Sequence, residues 1–167
     1  MRSDGAPGLH CGARIGELTH LRAEDVRDEA GVPVMDLTKT KTGKARTVPI
    51  HYHLLAQGFL TFVASVGNGT LFYDAKRHRA GMKASPGELR AQKVAAWVRK
   101  VVGLDAAVDP NHGWRHTWKT RALEAGIEER LRDAITGHSV GSVARGYERP
   151  TVTMLAKAME RFPRYVT

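Results

Sequence analysis

His112 and Arg115 stand three residues apart at the start of a helical stretch, HGWRHTWKTRALEAG, so their side chains leave the same face. A second histidine, His138, follows Gly137 at a helix boundary, and Tyr147 stands nine residues beyond it. Far upstream, Arg14 opens the first helix, and Lys41 sits in a Lys-Thr-Gly turn. A phosphodiester held among these groups would find a partner for each step of its cleavage. Two guanidiniums can bridge the non-bridging oxygens with forked hydrogen bonds and neutralise the charge that builds on a pentacoordinate transition state. Two imidazoles can hydrogen-bond or carry protons near neutral pH. A lysine can protonate a leaving oxygen, which an arginine, always charged, cannot. A tyrosine phenol, with a pKa of about 10, becomes a nucleophile where neighbouring cations favour its phenolate. It would then store the bond as a phosphotyrosyl ester that a second strand end reverses without metal, water or ATP.

The elements that must position these groups are mostly helical. Ile15, Leu18 and Leu21 recur at helical spacing and predict a first helix over about 14–26. In GVPVMDLTKTKTGKARTVPI, Val32, Val34 and Leu37 form one β-rich run and Thr47, Val48 and Ile50 another. The polar turn around Thr42 and Gly43 between them marks a two-stranded hairpin with basic residues at its tip. HYHLLAQGFLTFVAS reads as one further helix, with Leu54, Leu55, Phe59, Phe62 and Val63 on one side. A polar loop over 74–85, expected to be the most mobile segment, ends where Ser85 and Pro86 open a helix carrying Leu89, Val94, Trp97 and Val101. Pro110 introduces the helix of His112, closed near Gly126, and IEERLRDAIT is stopped by Gly137. PTVTMLAKAMERF sets Val152, Leu155, Met159 and Phe162 at three- and four-residue steps. The fold class is therefore mainly α with a small antiparallel β-hairpin.

Composition bounds the partners. The chain has 167 residues, 42% of them apolar, which is one ordinary domain that needs no disulfide or metal to stand. Its single cysteine, Cys11, removes the disulfide-framed secreted class. No apolar run is long enough to span a membrane and the start, MRSDGAPGLH, lacks a signal-peptide core, so a cytoplasmic location is expected. Twenty-six Lys and Arg against 17 Asp and Glu leave a formal charge of +9. The surplus lies in two blocks, one around Lys39, Lys41, Lys44 and Arg46, the other from Lys76 to Lys100. A polyanion-binding face and a merely solvated surface account for these blocks equally well. His112 and His116, four apart on a helix, raise a zinc site, but Gly113 stands where the metalloprotease pattern has Glu. His116 is expected to pack or hydrogen-bond inside the fold, and no metal or other cofactor is called for.

The order ARIGEL, TKTGKAR, HGWRH, TGH and then a tyrosine nine positions on resembles the catalytic domain of tyrosine recombinases of the phage integrase family. HGWRHTWKTRALEAGIEERLRDAITGH and GSVARGY are particularly similar to integrases of proteobacterial prophages. The resemblance covers nearly everything from residue 10 onward. It implies the family's catalytic fold and an active site of Arg14, Lys41, His112, Arg115, His138 and Tyr147. Lys41 takes the lysine role because it stands five positions before Arg46, and Lys39, Lys44 and Arg46 are implied contacts to DNA. The implied activity is site-specific recombination or integration of double-stranded DNA through a 3′-phosphotyrosyl link. In it Arg14 and Arg115 clamp the phosphate, Lys41 protonates the 5′-oxygen, His112 assists proton transfer from Tyr147, and His138 hydrogen-bonds the phosphate. The family also implies a tetramer on DNA in which the C-terminal segment docks on a neighbouring protomer; without DNA a monomer is expected, with the stripe of the last helix folded back on its own domain or disordered. On this reading residues 1–13 are a leader, 14–167 the catalytic domain and 150–167 its C-terminal helix, with the upstream core-binding domain absent. A truncated, impaired remnant that binds only DNA or a partner recombinase is the alternative, and a type IB topoisomerase a more distant one.

Overall fold

In the sheet, the aliphatic run of residues 32–37 and its partners find a buried face. The computed structural model describes residues 10–38, 40, 43–77, 81, 83–103, 107–138 and 149–165. Three antiparallel strands lie in the order β1 (Val26–Glu29), β2 (Val32–Leu37), β3 (Arg46–Pro49). Val26 pairs with Met35, which pairs in turn with Val48, and Leu37 pairs with Arg46. Met35, Leu37 and Val48 are buried in the core. Beside them Asp36 accepts hydrogen bonds from Arg27 on β1 and Thr47 on β3, so one carboxylate ties all three strands.

The predicted hairpin is therefore present but has a third strand. The first helix, expected over 14–26, stops early: α1 is Ile15–Thr19, a 3-10 turn follows at Ala23–Asp25, and Val26 already belongs to β1. Tertiary pairing decides this, since the backbone N–H of Ala23 is bonded to Gly69 and β1 has an open partner edge on β2. The link from β1 to β2 is a two-residue turn in which Ala30 and Gly31 both have positive φ, 54° and 79°. Asp28 Oδ1 steadies it by accepting from the Gly31 N–H.

The single helix expected from HYHLLAQGFLTFVAS is broken at Gly58 into α2 (Tyr52–Ala56) and α3 (Phe59–Val66). Ser85 and Glu88 form a reciprocal capping box that starts α4 (Pro86–Val102), as the Ser-Pro signal predicts. Within the loop expected to be mobile, Ala75–Arg77 form a 3-10 turn, and 78–80 and 82 lie outside the described residues. α5 (Pro110–Glu124) carries His112 and Arg115, α6 (Glu129–Thr136) ends at Gly137, and α7 (Val152–Arg161) starts from a Thr151 cap. Among the described residues no helix is long and apolar enough to cross a membrane.

α6 and α7 pack on β3, and α7 buries Leu155, Ala158 and Met159 there. The chain beyond α7 stays on the same body, as the apolar stripe predicts. Phe162, fully buried, stacks on Trp118 of α5 with ring centroids 5.4 Å apart. Its carbonyl accepts from His51 Nε2 at 2.9 Å, and the guanidinium of Arg121 lies 4.2 Å from the centre of the Tyr165 ring. At the other end of the chain, residues placed ahead of the domain by the sequence are built into it, since His10, Cys11 and Ala13 are buried. Phe162→Ala should lower the unfolding free energy by about 3–5 kcal/mol, because the stack on Trp118 leaves a cavity that the sheet cannot close. Urea denaturation of both proteins measures it, and a shift in midpoint worth under about 1 kcal/mol would show that the segment is not part of the core.

Candidate active site

Arg14 caps α1 from an extended backbone, and one turn on Glu17 turns back to meet it. Glu17 accepts from the Arg14 backbone N–H at 2.8 Å and from Arg14 Nη1 at 3.2 Å. The same carboxylate receives both terminal nitrogens of Arg46 from β3, at 3.1 and 2.7 Å, a bidentate fork. Burial pushes the Glu17 carboxyl up, but the hydrogen bonds and charge of Arg46 and the contacts of Arg14 outweigh it and hold the group below its ordinary range. Its side chain is 2% exposed, that of Arg46 10% and that of Arg14 27%. Arg14 therefore keeps an open edge while Arg46 does not.

Arg46 does a second job. Its Nε donates to the Ile135 carbonyl at 2.8 Å, and its guanidinium lies so close under Gly137 that a Cβ there would stand 2.8 Å from Nη1. The turn that presents His138 is thus seated on Arg46. Among the predicted contacts to DNA, Arg46 has its guanidinium directed inward, whereas Lys44 is exposed.

Arg115 joins the remaining pieces. It is buried, its Nη1 donates to the Gly12 carbonyl at 3.1 Å, and its Nη2 lies 3.2 Å from His138 Nε2. Burial, helped by the charges of Arg14 and Arg46, pushes its pKa down to about 10, which still leaves it charged at neutral pH. Gly12 is required here on two counts. Its φ is +59°, and a Cβ would stand 2.8 Å from the Trp118 ring. His138 also lies 3.2 Å from Lys119 Nζ and 3.0 Å from Thr136 Oγ1 through Nδ1. Burial, then Arg115 and Lys119, push its pKa down, which favours the neutral ring, against the opposing pull of Asp133.

Of the six residues singled out in the sequence, the structure gathers Arg14, Arg115 and His138 into one cationic cluster. His112 lies one turn before Arg115 on α5 and is exposed. His116, expected to be inside, is exposed too, its ring 5.8 Å from that of His112, because the buried face of α5 is given to Arg115, Trp118 and Ala122. Lys39, Lys41 and Tyr147 lie outside the described residues. Among the described residues no three His, Cys, Asp or Glu side chains stand together as a metal site. Glu17, which holds Arg14 and Arg46, and Lys119, which meets His138, are not among the residues that the sequence motifs single out. The one signal that could have found Glu17 is its acid type in a segment that must be buried.

The phage integrase family profile matches residues 8–153. A tyrosine recombinase XerA from Pyrococcus furiosus is 30% identical over 151 residues, covering 90% of this chain and 50% of that protein. The integrase from mycobacterium phage Brujita superposes with a TM-score of 0.64 at 20% identity, covering 96% of this chain and 50% of that one. XerH site-specific recombinase bound to its difH substrate gives a TM-score of 0.55 at 19% identity, covering 84% and 42%. These likenesses show the fold, and the chain spans about half the length of the curated relative it matches.

Removing the Glu17 charge leaves Arg14, Arg46 and Arg115 facing one another with no counter-ion. Glu17→Gln should lower the unfolding free energy by about 3–5 kcal/mol at neutral pH. Because the folded carboxyl titrates below its ordinary value of 4.5, this contribution is complete above that value and is lost as pH falls through the lower folded one. Denaturation curves of the two proteins should therefore converge in acid, and a gap that does not narrow below about pH 4 would remove Glu17 as its source.

Proposed function

This chain belongs to the phage integrase family, and from that premise we propose that it cleaves and rejoins duplex DNA at specific sites, Tyr147 attacking the scissile phosphate to form a 3′-phosphotyrosyl link. The observation that carries the proposal is the reach of Arg115, which contacts Gly12, two residues before Arg14, with one nitrogen and His138 with the other. Motif positions more than 100 residues apart thereby become one anion site. XerH, a neighbour in fold, is bound to its DNA substrate, which agrees with this reading.

The open edge of Arg14 and Nη2 of Arg115 clamp the non-bridging oxygens, whose charge grows in the pentacoordinate transition state. Their fixed guanidiniums stabilise that charge without having to reorganise, since Glu17 and the Gly12 carbonyl already hold them. Tyr147 loses its phenolic proton as its oxygen bonds to phosphorus, with His112 assisting the transfer. The 5′-oxygen leaves and takes a proton from Lys41. Reversal by a 5′-hydroxyl regenerates the tyrosine and seals the strand. Lys44 and the exposed cations of α4, Arg90 and Lys93 among them, meet the DNA backbone.

The test uses nicked suicide duplexes chosen by binding from a random pool. The native chain should form a covalent adduct on a denaturing gel, Tyr147→Phe none, and Arg115→Ala about a hundredfold less. An adduct that survives in Tyr147→Phe removes the proposal. Salt-sensitive binding by the native chain with no adduct identifies a protein that only binds DNA.

A further inference from the structure

His138 is surrounded by more donors than a neutral imidazole can accept from. Arg115 Nη2 faces its Nε2 at 3.2 Å, and Lys119 Nζ faces its Nδ1 at 3.2 Å. Both partners can only donate. Thr136 Oγ1, 3.0 Å from Nδ1, has committed its hydroxyl proton to the Arg132 carbonyl at 2.7 Å, so toward the ring it offers only an acceptor. The neutral ring has one N–H and one lone pair, which leaves two arrangements. In the first, Nδ1–H donates to Thr136, Nε2 accepts from Arg115, and Lys119 faces an N–H. In the second, Nδ1 accepts from Lys119, and Nε2–H stands beside an Arg115 N–H. In that second arrangement two N–H groups face each other, and an oxyanion beside the pair, accepting from both, relieves the conflict.

We propose that Lys119, held by Asp133, is a positioning residue that donates to Nδ1 of His138 and so keeps the ring's proton on Nε2, as a donor beside Arg115 for a phosphate oxygen. The inference rests on the reading of His138 as a phosphate ligand. Lys119 lies one turn after Arg115 on α5, so both project from one face. Its Nζ is 3.2 Å from Asp133 Oδ1, and the Asp133 carboxylate is 14% exposed against 33% for the lysine, so the more buried acid anchors the more mobile base. The backbone carbonyl of Asp133 accepts from the N–H groups of both Gly137 and His138, at 2.7 and 3.0 Å. One residue thus fixes the turn that presents the imidazole and the cation that orders its proton. The charged groups facing the ring are Arg115 and Lys119 from α5, Asp133 from α6 and, at longer range, Arg14 before α1. Removing Lys119 leaves Nδ1 with two acceptors, Thr136 Oγ1 at 3.0 Å and the Asp133 carboxylate at 3.7 Å, and moves the proton there, where it cannot reach the phosphate.

Long-range proton–nitrogen spectra of the full chain, at slightly alkaline pH with saturating inorganic phosphate as the probe, show which ring nitrogen of His138 carries the proton. The native chain and Lys119→Arg, which keeps a donor, should have it on Nε2. Lys119→Met, which keeps the stem, should have it on Nδ1. A native ring protonated on Nδ1, or a Lys119→Met ring indistinguishable from native, overturns the inference whatever the activity. In the suicide-duplex assay Lys119→Met should lower the cleavage rate at saturating DNA about tenfold with binding little changed, and Lys119→Arg should recover most of it. A proton that moves to Nδ1 with cleavage undiminished leaves the tautomer role standing and overturns instead the placement of His138 at the phosphate.

Discussion

A buried carboxylate with two arginines on it governs this structure. Glu17 is almost sealed from water and neutralises Arg14 from its own helix and Arg46 from the sheet. Taking a lone carboxylate out of water is unfavourable by several kcal/mol, and so is gathering guanidiniums in a low-dielectric interior. Each makes the other tolerable. Burial first, and then the charges of Arg14 and Arg46, lower the proton affinity of Arg115 even with Glu17 present. A site in that condition has a standing demand for negative charge from outside, which is the property an anion-binding site needs.

The rest of the molecule supplies rigidity to that cluster. Arg46 reaches from β3 to the last turn of α6, so the hairpin and the His138 turn cannot move independently. Arg115 is pinned through the Gly12 carbonyl to the segment that leads into α1. α5 itself is fixed from behind, where Trp118 is covered by Phe162. Backbone carbonyls are suited to this work, because they orient an arginine without cancelling its charge.

Much of this was legible in the sequence where the signal is local. Ser85 with Pro86, and Gly137 after an amphipathic run, fix helix ends through the chemistry of a few neighbouring residues. The spacing of Leu155, Met159 and Phe162 announces a buried stripe wherever it docks. Arg14, Arg115 and His138 could be named as one group because their motif order is distinctive, although nothing in their spacing says that Arg115 would touch Gly12. The losses are physical too. Glu17 and Arg46 are 29 residues apart, so their fork belongs to tertiary structure and leaves no periodic trace. β1 has no clear sequence signal, since only Val26 falls in the expected helix and Glu-Ala-Gly-Val lacks the Asn-Gly chemistry of a tight hairpin, Ala30 taking up the left-handed conformation without it. The break at Gly58 was hidden by apolar residues that continue a helical period across it. Lys119 reads as one more surface lysine until His138 is folded against it.

Gly12 and Trp118 meet so closely that neither can be considered alone. Position 12 admits no side chain while an indole fills the space opposite, and the indole in turn is held flat by Phe162. Substitutions at the two positions are accordingly expected to be non-additive. A side chain at 12 needs both a smaller residue at 118 and a backbone that tolerates a φ of +59°, so loss of ring volume at 118 alone does not open the position. One interior contact thus limits which changes beside the candidate site the fold can absorb.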